Sequence, residues 1–266
     1  MGILSDSQRE QFMEEGFLLV DPEIPEEVID GAVADLEERY ERVYNGAGHL
    51  EPCRIQDGWK VSANVHAIAV WPRILDMLRE LYCRQPMPFQ TLNFPTGTLQ
   101  PAHSDAVHFS SCPSGFMTGV WVGLEDIDEE NGAVCYYPGS HKLPEFDMSD
   151  VGVEPLEELY AEYEKYIAKV IDHFGLVKAE ATMKKGQAFL WAANLIHGGD
   201  NRKDLYRSRH SQVTHVYYEG CRYYTPMMSR GLKVKWRDPE FLPLEVPGRS
   251  RGGLRRFLGR RGAPAR

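Results

Sequence analysis

The sequence contains no Cys-x-x-Cys pair, and its five cysteines are an odd number scattered from Cys53 to Cys221. That excludes the usual signs of a disulfide framework or a cysteine-built zinc site, and reduced, mostly buried thiols are the expectation. No apolar run approaches the roughly 20 residues that a membrane-spanning helix needs. Positive charge is also scarce: a net charge of −9 argues against general nucleic-acid binding. The opening stretch MGILSDSQREQFMEEG turns acidic and polar within a few residues, leaving no room for the apolar segment of a secretory signal, so a cytoplasmic location is expected. Internal repeats and low-complexity tracts are absent as well.

What is present is an ordinary globular composition, 42% hydrophobic and 26% charged over 266 residues, enough for one sizeable core. A single domain over 1–247 is expected, followed by a solvated tail, 248–266, that holds seven arginines and no acid. The first third reads as helical. Ser5 or Asp6 can cap a helix reaching Glu15, GFLLV reads as a strand, Pro25-Glu26-Glu27 opens an amphipathic helix towards Tyr44, and PRILDMLRELYC starts on Pro72. From Pro88 the pattern changes to short segments rich in β-branched and aromatic residues: FQTLNF, FMTGVWVGL, AVCYYPG, VKAEATM, QAFLWAA and RHSQVTHVYYEG. Such a series predicts an antiparallel sandwich or barrel. One helix, ending at Gly175, interrupts it.

AHSDAVHF packs His103, Asp105 and His108 into eight residues. A His-x-Asp alone says little, because chance yields about half an occurrence in a chain with nine histidines and fifteen aspartates. On a strand, His103 and Asp105 would share a face and converge on one ion, with Ser104 as a spacer. His197, which follows a hydrophobic strand and precedes two glycines, is the third candidate ligand. Two histidines and one carboxylate with open positions is the arrangement of non-haem Fe(II) oxygen chemistry. Two arginines of equal strand parity, Arg207 and Arg209, follow and offer a planar cation to a carboxylate.

In order and spacing, HSD, VWVGLEDIDEENGAVCYYPGSHK, KKGQAFLWAANLIHGG and RHSQVTHVYYEGCRYYTPM resemble the phytanoyl-CoA dioxygenase family of Fe(II)/2-oxoglutarate oxygenases. The resemblance implies a mainly β (α+β) fold, a double-stranded β-helix or cupin-like jelly roll with helices packed outside. It implies Fe(II) on His103, Asp105 and His197, with 2-oxoglutarate and O2 as cosubstrates and ascorbate as a candidate reductant. Arg209 is implied at the distal carboxylate of 2-oxoglutarate, with Arg207 kept open beside it. Trp121 and Gln100 are implied as neighbours of the cosubstrate. The expected reaction is hydroxylation of a small molecule, since a carboxylate at position 105 leaves no place for the halide used by related halogenases. His108, Trp59, Lys60 and Asn64 are candidate substrate contacts, the last three because IQDGWKVSANVH is expected near the pocket entrance. A non-catalytic jelly-roll binding protein and a metal-dependent hydrolase are the rival readings. Oligomeric state leaves no trace in the sequence.

Overall fold

The computed structural model describes residues 2–41 and 54–246. The arginine-rich stretch 248–266 and the expected end of the second helix at Tyr44 lie outside the described residues. Helix α1 (Asp6–Glu15) begins on Ser5, whose hydroxyl accepts the Gln8 amide while the Gln8 side chain accepts the Ser5 amide. Gly16, at φ 83°, then turns the chain into β1 (Phe17–Val20). Next come α2 (Glu26–Glu41), β2 (Ile55–Gln56), α3 (Ala63–Ala69) and α4 (Pro72–Tyr82), the last started by its first-turn proline.

The remainder is mostly strand: β3 (Pro86–Phe94), β4 (Ser110–Cys112), β5 (Met117–Gly123) and β6 (Val134–Tyr136). After α5 (Met148–Val151) and α6 (Tyr160–Phe174) come β7 (Ala179–Ala181), β8 (Ala188–Ala192), β9 (His197–Gly199), β10 (Ser211–Tyr218), β11 (Arg222–Tyr224) and β12 (Trp236–Arg237). Six strands form an antiparallel sheet in the order β1-β8-β5-β10-β3-β2. Facing it is a smaller sheet, β7-β6-β9, extended by single bridges between His103 and His197 and between Ile127 and Met183. A third sheet, β12-β11-β4, lies beside them.

Strand alternation sorts the two faces of the large sheet. Val120, Val122, Leu190, Val216 and Tyr218 pack against α2, α3 and α4 through Ile29, Leu36, Ile68, Ile74 and Leu78. Their neighbours Trp121, Phe189 and Trp191 point the other way, into the space between the sheets, where they meet Phe17, Tyr136 and Ala181. The antiparallel architecture that the strand pattern predicts is present, in the form that the resemblance implies, a jelly roll with helices packed outside. Among the described residues no helix is long and apolar enough to cross a membrane.

Leu190 is fully buried at the helix-facing core. Replacing it with alanine should lower the unfolding free energy by about 2–5 kcal/mol, read from urea unfolding; a change below about 1 kcal/mol would contradict this packing.

Candidate functional site

The His-x-Asp motif does not lie on a regular strand, as the sequence reading assumed. His103 makes a single antiparallel bridge to His197, the two residues exchanging both backbone hydrogen bonds at 2.9 Å. Directly opposed residues place their side chains on one face, and the two imidazole centroids lie 4.6 Å apart. This close approach needs Gly198 and Gly199. A Cβ on the former would sit 2.8 Å from the Gln100 carbonyl, and one on the latter 2.8 Å from Thr98 Oγ1.

After Ser104 the chain turns into one 3-10 turn, Asp105–Val107. Ser104 is no mere spacer: its hydroxyl accepts the Ala106 amide and lies within hydrogen-bonding distance of Ala193 O and Asn194 Oδ1. The turn aims the Asp105 carboxylate back at the two histidines. Trp191 Nε1 donates to Asp105 Oδ2 at 2.8 Å. The indole has room only because residue 119 is glycine, where a Cβ would run into the Trp191 ring.

The result is a buried cluster in which one nitrogen or oxygen of His103, Asp105 and His197 lies within 4.8 Å of each of the others. His103 Nε2 is 3.7 Å from Asp105 Oδ1 and His197 Nε2 is 3.8 Å from Asp105 Oδ2. Each Nδ1 sits 2.9 Å from a carbonyl, Pro101 O or Leu195 O. A carbonyl can only accept, so Nδ1 carries the proton and the Nε2 lone pairs face the cluster. Burial alone would raise the Asp105 pKa, but the imidazoles of His197, His215 and His103 outweigh it and hold the carboxyl well below the usual range. Burial, helped by His197, drops His103 to about 3. An ionised carboxylate and two imidazoles whose Nδ1 atoms are engaged by carbonyls form a donor set suited to Fe(II), with one side left open to a cavity.

That cavity, of about 200 Å3, reaches from the cluster to Arg209. Arg209 is 2% exposed, donates to Ser211 Oγ at 3.1 Å and Thr96 O at 3.3 Å, and lies 5.2 Å from the Trp121 ring centroid. Arg209 Nε and Trp121 Nε1 are buried with no hydrogen-bond partner, a costly state unless a ligand oxygen completes them. Burial lowers the Arg209 pKa to about 10, so it remains a cation at neutral pH. The arrangement fits a carboxylate of 2-oxoglutarate. Arg207 is elsewhere, half exposed and paired through both Nη atoms to the carboxylate of Asp128, so of the two arginines only Arg209 faces the cavity. Gln100 lines the wall, its Nε2 3.3 Å from His103 Nε2.

The substrate candidates divide. His108, at the end of the 3-10 turn, lines the cavity and meets the Tyr160 hydroxyl at 3.1 Å. The other three do not reach the cavity. Trp59 packs on the helical core beside His66, Lys60 pairs with Glu240, and Asn64 bonds to Asp35. Their segment follows β2, and of this stretch only Gln56 in β2 and Arg54 just before it line the cavity.

Sequence reasoning missed Trp191, Ser211, His215 and Arg54. Period-two alternation from Arg209 would have found Ser211 and His215 on the same face of β10. His215 Nε2 lies 3.7 Å from Asp105 Oδ2, and its Nδ1 meets Gln90 Oε1 at 2.9 Å. Gln90 faces His215 next to a register shift between His215 and Val216. No sequence signal marks Arg54.

Fold and cluster together define the class: a double-stranded β-helix with a two-histidine, one-carboxylate centre. Among solved structures the chain resembles the non-heme alpha ketoglutarate dependent carbocyclase SnoK from nogalamycin biosynthesis (TM-score 0.66, 15% identity, 90% of this chain and 96% of that one). It also resembles EctD from S. alaskensis with 2-oxoglutarate and 5-hydroxyectoine (TM-score 0.64, 18% identity, 92% and 90%). The family model for phytanoyl-CoA dioxygenase (PhyH) matches residues 12–208, and the chain belongs to that family. A curated relative, phytanoyl-CoA dioxygenase domain-containing protein 1 of Danio rerio, is 28% identical over 154 residues, 54% of this chain and 50% of the relative. The chain spans about half or less of the length of the curated relatives it matches.

Burial also sets the pH dependence of the metal-free protein. His103 and His108 titrate at about 3 and about 4 when folded, against 6.5 unfolded. The unfolded chain therefore binds more protons below about pH 6.5, and stability falls with falling pH by up to about 1.4 kcal/mol per pH unit for each group. Urea unfolding between pH 7 and pH 5 should show this loss, and His108→Gln should make it shallower; an unchanged slope in the variant would contradict a neutral buried His108.

Proposed function

We propose that the chain is an Fe(II)- and 2-oxoglutarate-dependent dioxygenase that hydroxylates an unactivated C–H bond of a small-molecule substrate, with release of succinate and CO2. The observation that carries this reading is the pairing, in one small cavity, of the His103, Asp105 and His197 cluster with the incompletely satisfied cation of Arg209. His103, Asp105 and His197 hold the iron. Arg209, with Ser211 beside it, takes the distal carboxylate of 2-oxoglutarate, and Trp121 and Gln100 border the cosubstrate. Iron bound there supplies the activation of dioxygen coupled to decarboxylation of 2-oxoglutarate, with ascorbate as an auxiliary reductant.

The protein's part is preorganisation. The carbonyls of Pro101 and Leu195 keep both Nε2 lone pairs available. Trp191 fixes the Asp105 carboxylate, and the surrounding imidazoles keep it ionised. Trp121, Val213 and Phe94 line the wall and keep bulk water from the reacting groups. A metal-dependent hydrolase would leave Arg209 and Trp121 aimed at the cavity with nothing to bind.

Anaerobic addition of Fe(II) and then 2-oxoglutarate should produce a weak visible charge-transfer band, and succinate release should require both 2-oxoglutarate and oxygen. Arg209→Gln should raise the KM for 2-oxoglutarate by about tenfold or more, the loss of one charge-assisted bidentate contact, whereas Arg207→Gln should stay near wild type. A folded protein without the band overturns the reading.

A further inference from the structure

The mouth of the cavity carries chemistry that the cluster and the cosubstrate leave unused. Arg54 lines it and is exposed, and among the described residues no ion pair or hydrogen bond engages its guanidinium. Beside it stand Gln56 and His108, the latter fixed by the Tyr160 hydroxyl. A second guanidinium, that of Arg237, lies 4.8 Å from the centroid of Phe109, another lining residue. Arg54 and Arg237 both act on His108 to disfavour its protonation, as does His215. No carboxylate among the described lining residues balances this charge except Asp105, which is committed to the cluster. Among the described lining residues the entrance therefore offers a cation with no carboxylate beside it, although the chain as a whole carries −9.

Size adds a second constraint. At about 200 Å3 the cavity is smaller than the roughly 300–1,000 Å3 usual for ligand pockets, and 2-oxoglutarate takes the Arg209 end. Only a small substrate, or the reacting end of a longer one, fits beside the cluster, and the rest must lie along Arg54. An uncharged, apolar group there would strip water from the guanidinium without replacing its hydrogen bonds. A carboxylate or phosphate would satisfy its planar fork.

We propose that the substrate carries an oxyanionic group, a carboxylate or a phosphate, which Arg54 binds at the cavity mouth while the carbon to be oxidised lies at the His103, Asp105 and His197 cluster; this rests on the oxygenase reading above. The charge sets orientation. With the anion held at the rim, only carbons within the short span from Arg54 to the cluster meet the oxidant, so position along the chain is selected by distance from the anion.

The test uses the full chain loaded anaerobically with Fe(II) and 2-oxoglutarate, whose visible band reports the oxygenase reading without any substrate. The probes are monocarboxylates from butyrate to octanoate beside their primary amides, and alkyl phosphates of the same lengths beside their alcohols. At least one anionic series should perturb the band and, with oxygen, stimulate succinate release, with its neutral partners about tenfold weaker or worse. The responding series identifies carboxylate or phosphate. Arg54→Gln should raise the half-saturating concentration of that anion by about tenfold with the band before addition retained, and Arg54→Lys should recover part of the loss. Neutral probes as effective as their anions, silence of every anion, or an Arg54→Gln half-saturation unchanged within about twofold each overturns the proposal. Silence with the band intact overturns this proposal alone, whereas a missing band in the wild type overturns the oxygenase reading and this one with it.

Discussion

An ionised carboxylate buried between two sheets is the constraint on which the rest of the site depends. Asp105 is 4% exposed, and an isolated charge at that depth would cost far more than a single domain's stability. It persists because the surrounding chain is arranged around it. Trp191 donates to one oxygen, three imidazoles face the carboxylate, and a 3-10 turn capped by Ser104 directs it inwards. Each of these has its own requirement in turn: glycine at 119 to admit the indole, glycine at 198 and 199 to let the 98–102 segment lie against β9. The same surroundings leave negative charge and two lone pairs converging on a point, which is what a divalent cation requires.

The cavity is organised by charge as much as by shape. One end holds a buried arginine stacked near an indole, the middle holds the anionic cluster, and the mouth holds an exposed arginine with a neutral imidazole. The low dielectric of the interior strengthens each interaction, so a dicarboxylate and a metal ion would be oriented by opposite fields a short distance apart. Apolar walls from Phe94, Trp121 and Val213 preserve that contrast by excluding water.

Much of this was legible in the sequence for identifiable reasons. The content of β-branched and aromatic residues in FMTGVWVGL, QAFLWAA and RHSQVTHVYYEG predicted strands that lie in the large sheet, where both faces are largely buried and such residues suit them. Ser5, Pro72 and Gly175 marked helix ends through capping chemistry that acts within a few residues. His103, Asp105 and His197 were legible as a set, and they converge. The local conformation of His103 to His108 was not: a bridge and a 3-10 turn stand where a strand was expected. Trp59, Lys60 and Asn64 fell on a segment near the site in sequence order but turned to the helical core and surface.

The sequence by itself determined the strands of the large sheet and the helix ends at Ser5, Pro72 and Gly175, because each depends on short-range residue patterns or capping chemistry, and it offered His103, Asp105 and His197 as candidate ligands through their resemblance to a family's motifs. Tertiary structure decided what depends on contacts between distant segments. It set Arg209 rather than Arg207 against the cavity, since Arg207 is paired with Asp128 while Arg209 is buried beside Trp121. It brought Trp191 and His215 to Asp105 from strands more than eighty residues away in sequence, and it set Arg54 at the mouth. Equal strand parity can make two arginines alike on paper; only the packing around each fixes which charge is left for a ligand.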